Sequence, residues 1–246
     1  MANRRGLGYY IAERDRFSRN VGRKMIELEL RHEVLRIGRL LHEKNFVAAT
    51  DGNISARVSS KSILVTPTGM SKGMLRPEDL LLVDPDGRKL AGTREVSTEL
   101  RMHLLIYQLR ADVSAVVHAH PPTATGFAAA GLALDEPLIS EVELSLGPVP
   151  LASYGRPGSA ELCARLSPLI AGHNAILMAN HGVVTYAEDL LTAYLHMETV
   201  EHFARIYLVT HQLGHRHALD NKQVDELRAL RKQRAADTGD LLRKKA

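Results

Sequence analysis

The sequence contains one cysteine, no tryptophan, four phenylalanines and seven tyrosines in 246 residues. A lone Cys163 excludes an intrachain disulfide and any zinc or iron–sulfur site built from several thiolates. With so few aromatic rings, the core must be aliphatic, made of Leu, Val, Ile, Met and Ala. No apolar run approaches the ~20 residues needed to cross a bilayer. The basic N-terminus has no apolar segment behind it, so it does not read as a signal peptide; the cytoplasm is the expected location. Also missing are a Walker loop, a dinucleotide fingerprint and HExxH, which argues against a nucleotide-binding enzyme or a zincin protease. Ser97 and Ser140 lack a nucleophile-elbow context, so a serine hydrolase has no support.

Hydrophobic residues are 45% and charged residues 24%, within the ordinary globular range. The net charge of +4 is unevenly spread: residues 1–24 carry +5 and 222–246 carry +4, leaving the centre at −5. A nucleic-acid-binding domain would carry its positive charge on the folded surface, so no nucleic-acid partner is expected. Basic ends of this kind are solvated tails or subunit contacts.

Periodicity predicts one α/β domain over 21–215, an N-terminal arm over 1–20 and a basic helical tail over 216–246. Helical spacing covers Val21 to Asn45. Strands are predicted over Ile54–Val58, Ile63–Val65 and Leu80–Val83, the last turning at Asp84-Pro85-Asp86-Gly87 and returning to Leu90. Ser97-Thr98-Glu99 opens a helix to Leu109. Val113–Ala119 and Ala175–Met178 read as buried strands. Helices are predicted over Thr123–Ala130, Ser159–Ile170, Glu188–Leu213 and 222–235, while 137–152 reads as extended. The hairpin means that the sheet cannot be purely parallel.

Four features could carry chemistry. His118 and His120 end a strand, and residues two apart point to the same face, so their imidazoles converge. His181, in Asn180-His181-Gly182, also follows a buried strand, and Gly182 leaves room for close approach. Three histidines at strand ends can hold zinc with one position open, as a catalytic site does. Glu99 at a helix start suits either a dipole-compensating cap or a metal ligand and proton shuttle. Gly52-Asn53, Thr68-Gly69 and Ser97-Thr98 offer hydroxyls, an amide and free N–H groups, which can hold a phosphate; taken singly, each reads first as a plain turn.

Thr50-Asp51-Gly52-Asn53-Ile54-Ser55, Thr66-Pro67-Thr68-Gly69, Ser97-Thr98-Glu99 with His103, Val117-His118-Ala119-His120 and Asn180-His181-Gly182 occur in this order. Together they resemble the class II aldolase/adducin family, over roughly residues 25–215. The resemblance implies a three-layer α/β/α sandwich around a mostly antiparallel central sheet. It implies zinc (or manganese or another divalent ion) on His118, His120 and His181, with Glu99 as acid/base and as a metal ligand when substrate is absent. Gly52, Asn53, Thr68, Gly69, Ser97 and Thr98 would cradle the phosphate of a small sugar. A homotetramer with active sites between subunits is also implied. The expected function is a zinc-dependent aldolase-type lyase that cleaves a ketose phosphate, similar to L-fuculose 1-phosphate, through an enediolate. The alternatives are a sugar-phosphate 4-epimerase, dehydratase or decarboxylase on the same scaffold, or a non-catalytic adducin-like module. Family epimerases carry aspartate where this chain has Glu99, which favours the aldolase.

Three departures stand out. Thr98 replaces the second serine of the family's phosphate segment. Asp51 places a carboxylate beside a phosphate loop and should either face away from it or signal a non-phosphorylated substrate. The tyrosine that the fuculose aldolase carries in the segment matching Pro137–Glu143 is missing. Outside the motifs, His215-Arg216-His217 repeats the His-x-His spacing without a strand to align the rings. Glu198 and His202, four apart, are expected to pair across a helical turn. Cys163 reads as core filler.

Overall fold

Short β-branched segments separated by tight turns pair into one eight-stranded sheet. The structure, a computed structural model, describes residues 25–243; the arm expected over 1–20 lies outside them. The strands are β1 (Asn53–Ser59), β2 (Ser62–Val65), β3 (Leu81–Val83), β4 (Lys89–Ala91), β5 (Ala115–Ala119), β6 (Leu151–Ala152), β7 (Ala175–Met178) and β8 (Gly182–Ala187). Their spatial order is β4-β3-β2-β1-β5-β8-β7-β6. All neighbours are antiparallel except β6 and β7, which run parallel. The sheet is thus mixed, and mostly antiparallel as expected.

The helices are α1 (25–43), α2 (Leu100–Leu109), α3 (Pro122–Ala129), α4 (Ser140–Ser145), α5 (Ala160–Ile170), α6 (Leu190–Leu213) and α7 (Asn221–Arg243). Side chains alternate across each strand, so the sheet feeds two separate cores. On one face Ile54, Ala56, Val117, Leu177 and Val183 pack with Val34, Ile37 and Leu41 of α1, Phe127 of α3, and Met197 and Val200 of α6. On the other face Ile63, Val116, Ile176 and Val184 pack with Met102 and Ile106 of α2 and with Leu162, Leu166 and Ile170 of α5. Both cores are overwhelmingly aliphatic. The result is the three-layer α/β/α sandwich.

Several local expectations change. Residues 137–152 are not wholly extended: Val142, Glu143 and Leu146 are buried, and burial at this spacing winds Ser140–Ser145 into α4. Strand β8 was not anticipated; it follows β7 after only three residues and fills the gap between β7 and β5. The C-terminal helix runs from Asn221 to Arg243 rather than over 222–235. Glu198 faces Lys44 (3.0 Å) and the Tyr194 hydroxyl (3.4 Å), not His202. Cys163 is only half-buried.

Candidate metal and substrate site

Antiparallel pairing decides where the candidate residues meet. Because β1 and β2 run in opposite directions, the start of β1 and the end of β2 share one end of the sheet. The same logic carries the end of β5 and the start of β8 to that end, through the pairs Asn53↔His118 and Ala119↔Val183. Gly52-Asn53, Thr68-Gly69, His118, His120 and His181 therefore gather although up to 129 residues separate them in sequence. The bridge Pro67↔Val96 draws Ser97, Thr98 and Glu99 to the same place.

The three imidazoles face one another, with ring centroids 4.7–5.2 Å apart. One nitrogen from each lies within 4.8 Å of the others. Two glycines permit this. A Cβ on Gly182 would sit 2.5 Å from His120 Cδ2 and 2.7 Å from the Ala119 carbonyl, and a Cβ on Gly52 would sit 2.7 Å from the His118 carbonyl. Gly52 also has φ +73°, a conformation that glycine adopts without strain. The strand-to-helix turn after His120 is pinned by buried Glu201, whose carboxylate accepts the N–H groups of Thr123 and Ala124 at 3.0 Å.

Hydrogen-bond logic makes the cluster a receptor for a cation. His118 Nδ1 donates to the Val183 carbonyl at 2.8 Å, so its neutral ring leaves Nε2 bare. Burial, with His181 and His120 nearby, holds His118 down to about 3 against the opposing pull of Glu99. His120 Nδ1 lies 3.3 Å from Asp51 Oδ2, an arrangement that orients a histidine ligand from outside. Its Nε2 stands 3.2 Å from His118 Nε2, within hydrogen-bond reach, so the two nitrogens point into one small space that a shared cation could occupy. Buried Glu99 Oε1 and His181 Nδ1 have no hydrogen-bond partner. Glu99 Oε1 is 3.1 Å from His181 Nε2, without the alignment of a hydrogen bond. The donor set of three imidazoles and a carboxylate fits a divalent metal.

Burial opposes ionisation of Glu99, but His118, His181 and Asn53 outweigh it and hold the carboxyl well below its usual range. Glu99 stands directly before α2 and makes no side-chain cap; its own N–H donates to the Ser97 hydroxyl at 3.3 Å. Glu99 thus makes no capping hydrogen bond, although its charge still stands at the N-terminus of α2. Thr68, Gly69 and Thr98 are exposed and Ser97 is half-buried. Asn53 is buried and turns its amide to Glu99.

Asp51 approaches His120 (3.3 Å), a use that its turn-rich neighbourhood did not reveal. Lys72 had no signal in the sequence. It is fully buried and its Nζ donates to the carbonyls of Thr50 (2.8 Å) and Met70 (2.6 Å). It thereby ties together the two loops that flank Asn53 and Gly69. Burial lowers its pKa to about 8 although Asp51 and Glu99 pull the other way. His215 and His217 are exposed in the loop between α6 and α7.

A three-layer α/β/α sandwich with three histidines converging at one end of its sheet defines a class of fold and site, and comparison with known proteins makes the family assignment. Residues 32–208 match the model of the Class II Aldolase and Adducin N-terminal domain, and the chain belongs to that family. It is 35% identical to an L-fuculose phosphate aldolase of Methanococcus maripaludis over 74% of this chain and 97% of that protein. It is 34% identical to a 3-oxo-tetronate 4-phosphate decarboxylase of Escherichia coli over 75% of this chain and 88% of that protein. A solved L-fuculose 1-phosphate aldolase superposes with a TM-score of 0.77 at 29% identity, covering 82% of this chain and 95% of the other.

Proposed function

We propose that this protein is a zinc-dependent lyase that cleaves a small ketose 1-phosphate of the L-fuculose 1-phosphate type. The observation that carries this reading is the convergence of His118, His120 and His181, with one ring nitrogen of each within 4.8 Å of the others, beside the Glu99 carboxylate and three polar loops. His118, His120 and His181 would hold the ion, with Glu99 joining them in the absence of substrate. When bound, the ion polarises substrate oxygens and absorbs the negative charge left by carbon–carbon cleavage.

The chain's own residues do the rest. Glu99, unpartnered at Oε1, moves a proton on and off the substrate carbon. Backbone N–H groups at Gly52 and Gly69, the hydroxyls of Thr68, Ser97 and Thr98, and the second amide hydrogen of Asn53 hold the phosphate. That grip fixes the reacting carbon against Glu99. Lys72 keeps two of the three loops in register. An adducin-like module without catalysis is a poorer reading, because it would have no use for this ligand set.

One observation favours a second reading, decarboxylation of a phosphorylated 3-keto acid. No tyrosine occupies 137–143, and in that segment Glu143 is directed toward Arg228 of α7 (3.8 Å). The relatives printed above include both reaction types.

A panel of L-fuculose 1-phosphate, ribulose 5-phosphate and phosphorylated 3-keto acids, run with added zinc or manganese, decides between them. Cleavage of the ketose 1-phosphate is expected; turnover of the keto acids alone overturns the aldolase in favour of the decarboxylase. The same reading has the chain working as a homotetramer in the cytoplasm. Exposed Leu132 and Leu208, beside a surface cavity of about 490 Å³ lined by Phe127, support burial against another copy. A 27.1 kDa monomer in light scattering would contradict it.

A further inference from the structure

A buried row of polar side chains runs inward from Glu99 between β1 and α2. Glu99, His103 and Tyr107 recur every four residues on one face of the helical segment, while Asn53 and Ser55, two apart, share one face of the strand. The two sets interleave. Asn53 Nδ2 lies 2.7 Å from Glu99 Oε2, and Asn53 Oδ1 lies 2.5 Å from His103 Nε2. His103 Nδ1 lies 2.6 Å from Ser55 Oγ, which lies 2.8 Å from the Tyr107 hydroxyl.

Asn53 decides the direction of the links: its NH₂ donates to Glu99 Oε2, so its carbonyl faces His103. His103 Nε2 therefore carries the proton. Burial holds the His103 pKa at about 4 despite Glu99, so the ring is neutral and Nδ1 must accept from Ser55. The Ser55 oxygen then accepts from Tyr107, whose phenol burial keeps protonated. Tyr107 is itself anchored by Arg57, which donates to its carbonyl at 2.8 Å and lies 4.6 Å over its ring. The amide of Asn53 interrupts the row, so it cannot conduct protons; it can only orient.

We propose that Tyr107, Ser55, His103 and Asn53 form a one-way hydrogen-bonded chain that positions Glu99, occupying Oε2 and leaving Oε1 turned to the substrate. This rests on the reading of Glu99 as the proton-transfer group. Tyr107, Ser55 and His103 act only by positioning, and Asn53 both positions Glu99 and serves the phosphate; none needs to touch the reacting carbon.

The test is nitrogen-15 NMR of the His103 ring in the full-length protein, metal-free and loaded with zinc alone, with His103→Gln used to assign the signal. A neutral ring protonated at Nε2 is expected in both states. A ring protonated at Nδ1, or at both nitrogens near neutral pH, overturns the chain. Ser55→Ala removes the donor to Nδ1 and should let the ring exchange toward the other tautomer. It should lower kcat on the best panel substrate about 10–100-fold, the usual weight of an outer hydrogen-bond partner, with KM within threefold and zinc content unchanged. An unchanged tautomer with kcat within threefold of wild type overturns the proposal, as does a loss that appears only in KM or metal content. If wild type turns over nothing in the panel, the lyase reading fails, yet the ring tautomer still decides the chain. If Ser55→Ala does not fold, the wild-type spectrum decides alone.

Discussion

His118-x-His120 and His215-x-His217 have the same spacing and opposite surroundings. His118 lies in β5, bonded on both sides by β1 and β8, and His120 stands one residue past its end with its N–H held by the Phe46 carbonyl at 2.8 Å. His118 is fully buried and His120 partly so. Each ring is oriented from outside, one by the Val183 carbonyl and one by Asp51. The second pair lies in an irregular segment, exposed, with nothing to align the rings. Convergence of two ligands therefore comes from a fixed backbone and a supported outer nitrogen, not from spacing.

The comparison predicts the largest effects at the supported pair. His118→Ala, and equally His181→Ala, should lower bound zinc from about one per chain to near zero and abolish turnover, as read by metal analysis and steady-state kinetics. Full retention of metal in both variants would break the contrast outright. Next in size is Glu99→Gln, which keeps the shape but loses the charge. A folded, metal-loaded variant should lose roughly 10²–10⁴-fold in kcat, whereas a mere helix-end charge would be worth only ~0.3–1 kcal/mol of stability. A variant within threefold of wild type would remove Glu99 from the mechanism. Glu143, directed toward α7, is no ready substitute.

Gly182→Ala sharpens the comparison by disturbing the support rather than a ligand. The new methyl would meet backbone at the Ala119 carbonyl as well as the His120 ring, so the strand end must shift. A loss of about 1–3 kcal/mol in thermal or denaturant unfolding is expected, with zinc affinity about tenfold weaker. Unaltered affinity would mean that the rings tolerate displacement. The smallest effect belongs to His217→Ala: zinc content and kcat should stay within twofold, because an exposed surface substitution changes little. A measurable loss of metal would show that the loop pair is a ligand site after all.

Much of this arrangement is readable in residues 25–215. Strand β7 falls on the predicted Ala175–Met178, because a short apolar run flanked by polar turns has no other stable placement. The starts of α5 and α6 follow from Ser159 and Asp189, whose side chains accept the N–H groups of Leu162 and Thr192. Strand β8 is harder to read, since all six of its residues are buried and no polar alternation marks it. Short α4 is hidden for a related reason. Its helical form depends on packing against α6 and α7, and six residues carry little intrinsic preference.

The candidate site divides along the same line. Residue chemistry made His118, His120, His181 and Glu99 candidates, each weak by itself, and the order of five motifs resembling one family gave them their roles. Nothing local marks Lys72, the turn of Asp51 toward His120, or the links that join Tyr107 and Ser55 to His103. Those depend on which strand lies beside which and on the register between β1 and α2. A buried lysine can find two carbonyls, and a buried histidine can have one tautomer imposed on it, only after distant segments have closed around them and excluded water. That exclusion makes each unpaired polar group costly, and so the tertiary fold, not the local sequence, chose their partners.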